Sequence, residues 1–193
     1  MNRNLIKNTG RRMAALLLGM LLLATLSIHV FAAQNVTDIT AQIRPDVTLT
    51  VDSVSKDFFD VSGKETHPIE YNGTFYLPMR ATGELMGKNV NWDQSTLTLT
   101  LSATRTSADV VGTKDDTTKK ADIAAQIRPD FTVVVDGVTK SFTDGNGQRL
   151  DPILYDGSVY LPLVAIAQIS GYEVVWDEKT ATISMTSKQT ETL

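Results

Sequence analysis

The chain has 193 residues, 42% of them hydrophobic and 21% charged, and no cysteine. That length holds one ordinary domain or two small ones, and the missing cysteine excludes disulfides, thiolate metal sites and cysteine nucleophiles. The formal charge is −4, but setting aside Arg3, Lys7, Arg11 and Arg12 leaves 14 basic residues against 22 acidic, or −8, a balance that disfavours nucleic acid as a partner.

Residues 1–12 carry those four basic side chains and no acidic one, and an apolar run follows from Met13 to Ile28. His29-Val30-Phe31-Ala32-Ala33 comes next, with Val30 and Ala32 at the two small sites that a signal peptidase reads. The segment 1–32 is expected to be a secretory signal peptide cut after Ala32. The competing reading is a retained membrane anchor, against which stands an apolar run short of the ~20 residues that span a bilayer comfortably. The expected location is secreted, extracellular or at the cell surface, with membrane contact only through this segment if it is not cleaved.

Beyond the signal the chain repeats itself. Residues 38–102 align with residues 122–186 at a constant offset of 84, without gaps, and about 30 of 65 positions are identical. Ala41-Gln42-Ile43-Arg44-Pro45-Asp46 returns as Ala125 to Asp130, Tyr76-Leu77-Pro78 as Tyr160-Leu161-Pro162, and Trp92-Asp93 as Trp176-Asp177. Residues 103–121, rich in Thr, Asp and Lys, read as a solvated linker.

Val47 to Val51 alternates with period two, as does Phe131 to Val135, so each is expected to be a strand with one buried face. Asn72-Gly73 and Asp156-Gly157 predict two-residue hairpins, because both central residues need positive φ. Pro78 and Pro162 can open helices that Gly87 and Gly171 close. Val90 and Trp92 alternate inward, and Leu97, Leu99 and Leu101 form the last buried row. The expected fold class is α+β: two tandem small domains, each an antiparallel sheet packed around one short helix. Each repeat is expected to fold alone, with Trp92 and Trp176 in equivalent cores.

The succession Tyr-(Asn/Asp)-Gly-x-x-Tyr-Leu-Pro, a short helix ending in Gly, Val-x-Trp-Asp and a terminal strand resembles the copper amine oxidase N-terminal (stalk) domain family. Both copies match over nearly their whole length, about two thirds of the chain. The resemblance implies a sheet curved around one helix, and export from Gram-positive-type bacteria. It implies no chemistry: in the oxidases catalysis lies in another domain, with histidine-bound copper and a quinone made from a tyrosine. Here His67 is the one histidine beyond the signal segment, so no cofactor is expected and no functional residue transfers.

The remaining constellations have plainer readings. Ser53-Val54-Ser55-Lys56 matches Ser-x-x-Lys, but that chemistry needs a helix and these residues fall at a strand turn. Asp144-Gly145-Asn146-Gly147 lacks the glycine and glutamate spacing of a calcium loop and reads as a turn. Asp93 and Asp177 are expected to shape hairpin turns through their side chains. Glu65, Glu70, Asp60 and Asp93 could supply paired carboxylates, yet in copy two they become Arg149, Leu154, Asp144 and Asp177. No catalytic or metal site is expected.

The helix row Arg80, Glu84 and Lys88 becomes Val164, Gln168 and Tyr172 in copy two, a possible contact face because charge gives way to apolar and aromatic groups. The competing reading folds Tyr172 back on the last helical turn near Ala167. The sequence therefore predicts a non-catalytic binding module of bacterial type for a cell-envelope polymer or surface protein. The alternative is a structural spacer or self-assembling subunit of a surface structure.

Overall fold

The computed structural model describes residues 35–106, 108 and 110–188. The signal-peptide segment 1–32 lies outside these. These described residues form one compact unit.

Repeat 1 contributes β1 (Thr37–Ile43), β2 (Thr48–Val51), β3 (Val54–Lys56), β4 (Phe58–Phe59), β5 (Glu65–Thr66), β6 (Ile69–Tyr71), β7 (Thr74–Pro78), α1 (Met79–Leu85), β8 (Lys88–Asp93) and β9 (Thr98–Thr104). Repeat 2 contributes β10 (Ala121–Ile127), β11 (Thr132–Val135), β12 (Val138–Lys140), β13 (Phe142–Thr143), β14 (Arg149–Leu150), β15 (Ile153–Tyr155), β16 (Ser158–Pro162), α2 (Leu163–Ser170), β17 (Tyr172–Asp177) and β18 (Thr182–Ser187). Strands dominate, and the two helices among the described residues have only seven and eight residues.

Local expectations hold at the turns. Asn72-Gly73 and Asp156-Gly157 have positive φ at both positions, as do Asp52-Ser53 and Asp136-Gly137. These are the mirror-image turns whose twist suits a tight hairpin. Pro78 and Pro162 end their strands and cap the helices, which begin one residue later. Gly171, at φ 77°, closes α2.

The α+β class with two tandem domains is not what forms. Six strands close a barrel in the order β1-β10-β15-β16-β7-β6, three from each repeat. Thr40 faces Ala124 in the β1–β10 pairing and Leu77 faces Leu161 in the β7–β16 pairing, each residue opposite its own counterpart. A pseudo-twofold axis therefore runs through these two pairs. Ala41, Ile69, Tyr76, Ala125, Ile153 and Tyr160 fill the barrel.

The two outer sheets mix the repeats further. β11 of repeat 2 lies parallel to β9 of repeat 1, with Val133 beside Leu99, in a sheet ordered β12-β11-β9-β8. β2 of repeat 1 lies parallel to β18 of repeat 2, with Leu49 beside Ile183, in the sheet β17-β18-β2-β3. Each repeat thus lends its first hairpin to the other.

Neither large core belongs to one repeat. Leu99 and Leu101 pack with Phe131, Val133, Val135, Leu161 and Ile166. Val47, Leu49, Leu77 and Ala81 pack with Leu163, Ala167, Ile183 and Met185. Period-two alternation identifies a strand with one buried face, and it is satisfied equally by a partner from either repeat. Because the copies present matching apolar rows, the sequence pattern cannot tell self-pairing from exchange.

The tryptophans follow the exchange. Trp92 stacks on Phe131 of the other repeat at 4.8 Å and Trp176 on Phe75 at 4.7 Å. Trp176 keeps 37% of its surface exposed, so it caps a core and does not fill one. Val47 and Phe75 in repeat 1 stand where repeat 2 has Phe131 and Val159. Each tryptophan therefore meets a phenylalanine from a different place in the repeat, Phe75 within β7 at one end and Phe131 just before β11 at the other.

The repeated Arg-Pro-Asp segment clamps these caps. Arg44 donates through Nε and Nη2 to the two Asp46 carboxylate oxygens, both at 2.8 Å, and through Nη1 to Glu70. Its guanidinium lies 5.5 Å from the Phe75 ring centroid and 5.7 Å from that of Trp176. Arg128 grips Asp130 in the same way and lies 3.9 Å from the Phe131 ring. Hydrogen bonds from these arginines hold the Asp46 and Asp130 carboxyls below their ordinary range.

A carboxyl whose pKa is lower folded than unfolded contributes stability above its unfolded value, which is lost as pH falls through the folded one. Below about pH 4, where free aspartate titrates, the melting temperature of the protein should fall more steeply than that of D46N/D130N. Thermal melts across that range check this.

Close packing also fixes Gly83 in α1. A Cβ there would stand 2.2 Å from Val90 Cγ2 and 3.0 Å from the Lys88 carbonyl oxygen. Helix propensity alone would favour alanine by about 1 kcal/mol, but the clash with a stiff β-branched side chain and a backbone oxygen costs about 1–3 kcal/mol. Gly83→Ala should therefore destabilise the fold, read as a lower denaturant midpoint, although repeat 2 carries Ala167 at the equivalent place.

Candidate ligand cleft

Most polar groups singled out in the sequence are engaged in local structure. Asp144 accepts the backbone N–H groups of Asn146 and Gln148, both at 2.8 Å. Asp93 accepts from Ser95 and Thr96, and Asp177 from Lys179 and Thr180, each organising its hairpin turn. Ser53 sits in the β2–β3 turn with φ 68° and Lys56 ends β3, so the Ser-x-x-Lys match has no helix beneath it.

The row Val164, Gln168 and Tyr172 opens onto different surroundings. Val164 lines a groove with Gly73, Phe75 and Val174. Tyr172 is half-buried against the core of Val47, Leu49 and Ile183 and lines another groove with Glu84, Lys88 and Asp136. Gln168 is exposed.

A further polar concavity lies where residues 110–120 cross repeat 1. Gly112 seats against Phe59 and Gly63 so closely that a Cβ would stand 2.3 Å from the phenylalanine ring and 2.2 Å from the Gly63 oxygen. Thr113 donates its N–H to that same oxygen at 3.2 Å, Lys114 pairs with Asp57 at 2.9 Å, and Asp115 donates its N–H to Glu65. The segment is held along the β4–β5 loop by these contacts, and Arg105 pairs with Glu84 at 3.1 Å where it leaves β9.

Two cavities of about 220 and 330 Å³ flank this crossing. Glu65, Thr66, His67 and Asp115 line both. The larger reaches the barrel mouth at Ile43, Ile123, Tyr155 and Tyr160 and is rimmed by Asp60, Lys64, Lys119, Asp156 and Ser158. Asp60 accepts from Ser62 and Lys64, and Asp115 from Thr117 and Thr118, and these hydroxyl and amide donors lower both carboxyl pKa values. Burial raises the Tyr160 phenol well above its usual value.

His67 is only 8% exposed, and its Nε2 has no hydrogen-bond partner. A buried ring nitrogen without a partner is costly, on the order of 1–3 kcal/mol, and is uncommon in a settled core. At the equivalent place repeat 2 keeps only a pocket of about 20 Å³: Asp151 replaces His67, Arg149 replaces Glu65, and the two join in an ion pair at 2.6 Å. The signal that could have found the cleft in the sequence is this departure of one copy from the other, together with a joining segment that exists once.

The arrangement offers hydrogen-bond donors and acceptors beside two aromatic rings, which suits recognition. It does not suit a copper centre. Among the described residues His67 is the sole histidine, and no three of His, Asp and Glu converge on a point. Nor is any helix among those residues long and apolar enough to cross a membrane.

The model of the copper amine oxidase N-terminal domain matches residues 60–139 and 143–193. Its first segment crosses the repeat boundary: it starts in the β4–β5 loop and ends in β12, so it includes β9 together with the β11 hairpin that completes the same sheet. No curated protein and no solved structure matches the chain. With most of its length under that family model, and with a matched segment that follows the exchanged sheet and not the bare repeat, the chain belongs to the copper amine oxidase N-terminal domain family.

Proposed function

We propose that the protein is an exported, non-catalytic binding module of bacterial type that contacts a cell-envelope polymer at the cell surface. The observation that carries this is the polar cleft of about 330 Å³ that repeat 1, the joining segment and the barrel mouth build together, with Glu65, His67 and Asp115 in its lining. The basic, apolar and small-residue succession of residues 1–32 supports export. A non-catalytic role is supported by the carboxylates themselves, which are engaged in turns and ion pairs where the sequence offered them as acid and base. The test is a pull-down of the protein from residue 33 onward against purified envelope fractions. Retention on one polymer fraction is expected, and recovery of all protein in the unbound fraction from every polymer overturns the reading.

The spacer or self-assembly reading has an observation of its own. The repeats exchange hairpins within one chain through the β2–β18 and β9–β11 pairings, and the same exchange between chains would link copies. Light scattering separates the two readings: a binding module keeps a constant mass on dilution, whereas a self-assembling subunit grows with concentration.

A further inference from the structure

We infer that the cleft between the barrel mouth and residues 113–119 binds an uncharged, hydroxyl-rich glycan segment, an assignment that rests on the polymer-binding reading above and names its ligand class. Charge decides the first step. Asp60, Glu65, Asp115 and Asp156 face Lys64 and Lys119 in the larger cavity, so the lining is net negative and repels a polyanion such as a polyphosphate chain.

Topology decides the second. An extended peptide is usually held by adding a strand to a free sheet edge; here the neighbouring β10, β15 and β16 belong to a closed barrel, and beside β5 the Lys64–Thr113 bridge already brings the joining segment onto the edge. The ligand must be gripped by side chains.

The side chains present are those that grip a sugar. Tyr155, half-buried at the barrel mouth, can offer its ring to a pyranose face, while Tyr160, only 4% exposed, packs behind it with the ring centroids 6.1 Å apart. Ser158 and the lysines can donate to hydroxyl oxygens, and Asp156 can accept from hydroxyl groups. The His67 ring lines the cavity wall, with its Nε2 buried behind that surface. At about 330 Å³ the cavity stands at the lower end of the range for small-ligand sites, enough for one or two sugar residues and not for a folded partner.

Repeat 2 provides the variant for a test. E65R/H67D installs the Arg149–Asp151 pair of the other copy in the cleft, a pair this scaffold already accommodates. D156N copies Asn72 of repeat 1 and keeps the turn chemistry. The protein from residue 33 onward is titrated with N-acetylglucosamine tetramer, glucose tetramer and poly(glycerol phosphate), while the His67 imidazole and tyrosine ring signals are followed by NMR.

Saturable shifts of His67 and Tyr155 with at least one uncharged tetramer, and none with the polyanion, are expected. Affinity should weaken at least tenfold in E65R/H67D and measurably in D156N, whose thermal melts verify folding. Absence of shifts with both tetramers, or equal affinity in folded variants, overturns the inference. Envelope pull-downs run in parallel keep the two readings apart. Polymer retention that survives E65R/H67D sinks the cleft and leaves the module reading standing; tetramer binding without polymer retention does the reverse.

Discussion

Separate fragments of residues 34–104 and 120–193 should each fail to fold as a monomer, and mixing them should restore the native far-ultraviolet spectrum and a cooperative melt. The first fragment keeps Leu99 and Leu101 but loses Phe131, Val133, Val135 and Ile166, against which they pack. The second keeps Ile183 and Met185 but loses Val47, Leu49 and Leu77. Each would also open the barrel, leaving three strands with unpaired edges. At about 70 residues, a chain that buries only half its core is below what folding requires without staples. Because the pseudo-twofold pairs Thr40 with Ala124 and Leu77 with Leu161, a fragment at high concentration can substitute a second copy of itself for the missing half. Sedimentation should then show a dimer and not a folded monomer. A folded monomeric fragment at micromolar concentration would contradict the exchanged fold.

How far the sequence could be read depends on the range of the interactions involved. Asn72-Gly73 and Asp156-Gly157 were legible because a two-residue turn is decided by the two residues in it. The helices and their closing glycines were legible for the same reason, to within a residue at Pro78 and Pro162. Strand partnership was not. Ile39, Ala41 and Ile43 alternate as a strand should, but nothing local says that β1 meets β10 and not another strand of its own repeat.

The cleft was harder still, since it depends on where residues 110–120 travel. Their Thr, Asp and Lys suggest solvation, whereas Gly112 seats against Phe59 and Asp115 reaches Glu65. His67 gave a partial clue as a lone imidazole that copy two replaces with Asp151, but its burial and lack of a partner come from the fold alone.

Leu99→Ala provides the second large effect, because it asks whether both ends of the molecule unfold together. Leu99 is fully buried and lies beside Val133 of the other repeat in the parallel β9–β11 register. Truncating a buried leucine removes its transfer free energy and leaves a cavity, a loss of roughly 2–5 kcal/mol. For a folded unit of this size each kcal/mol lowers the melting temperature by about 2–4 °C, so a fall on the order of 10 °C is expected. Two independent domains would confine that fall to one of two transitions. In the exchanged fold Leu99 supports the sheet that carries β11 and β12, and α2 packs into both large cores through Ile166 on one and Leu163 and Ala167 on the other. The loss should therefore reach the far end. Single-tryptophan proteins made by W92F and W176F report the two ends separately, since the tryptophans cap different cores. In the Leu99→Ala background both fluorescence transitions should shift by the same amount and remain coincident. A shift seen by Trp92 alone, with Trp176 melting at its original temperature, would mean that the repeats unfold separately.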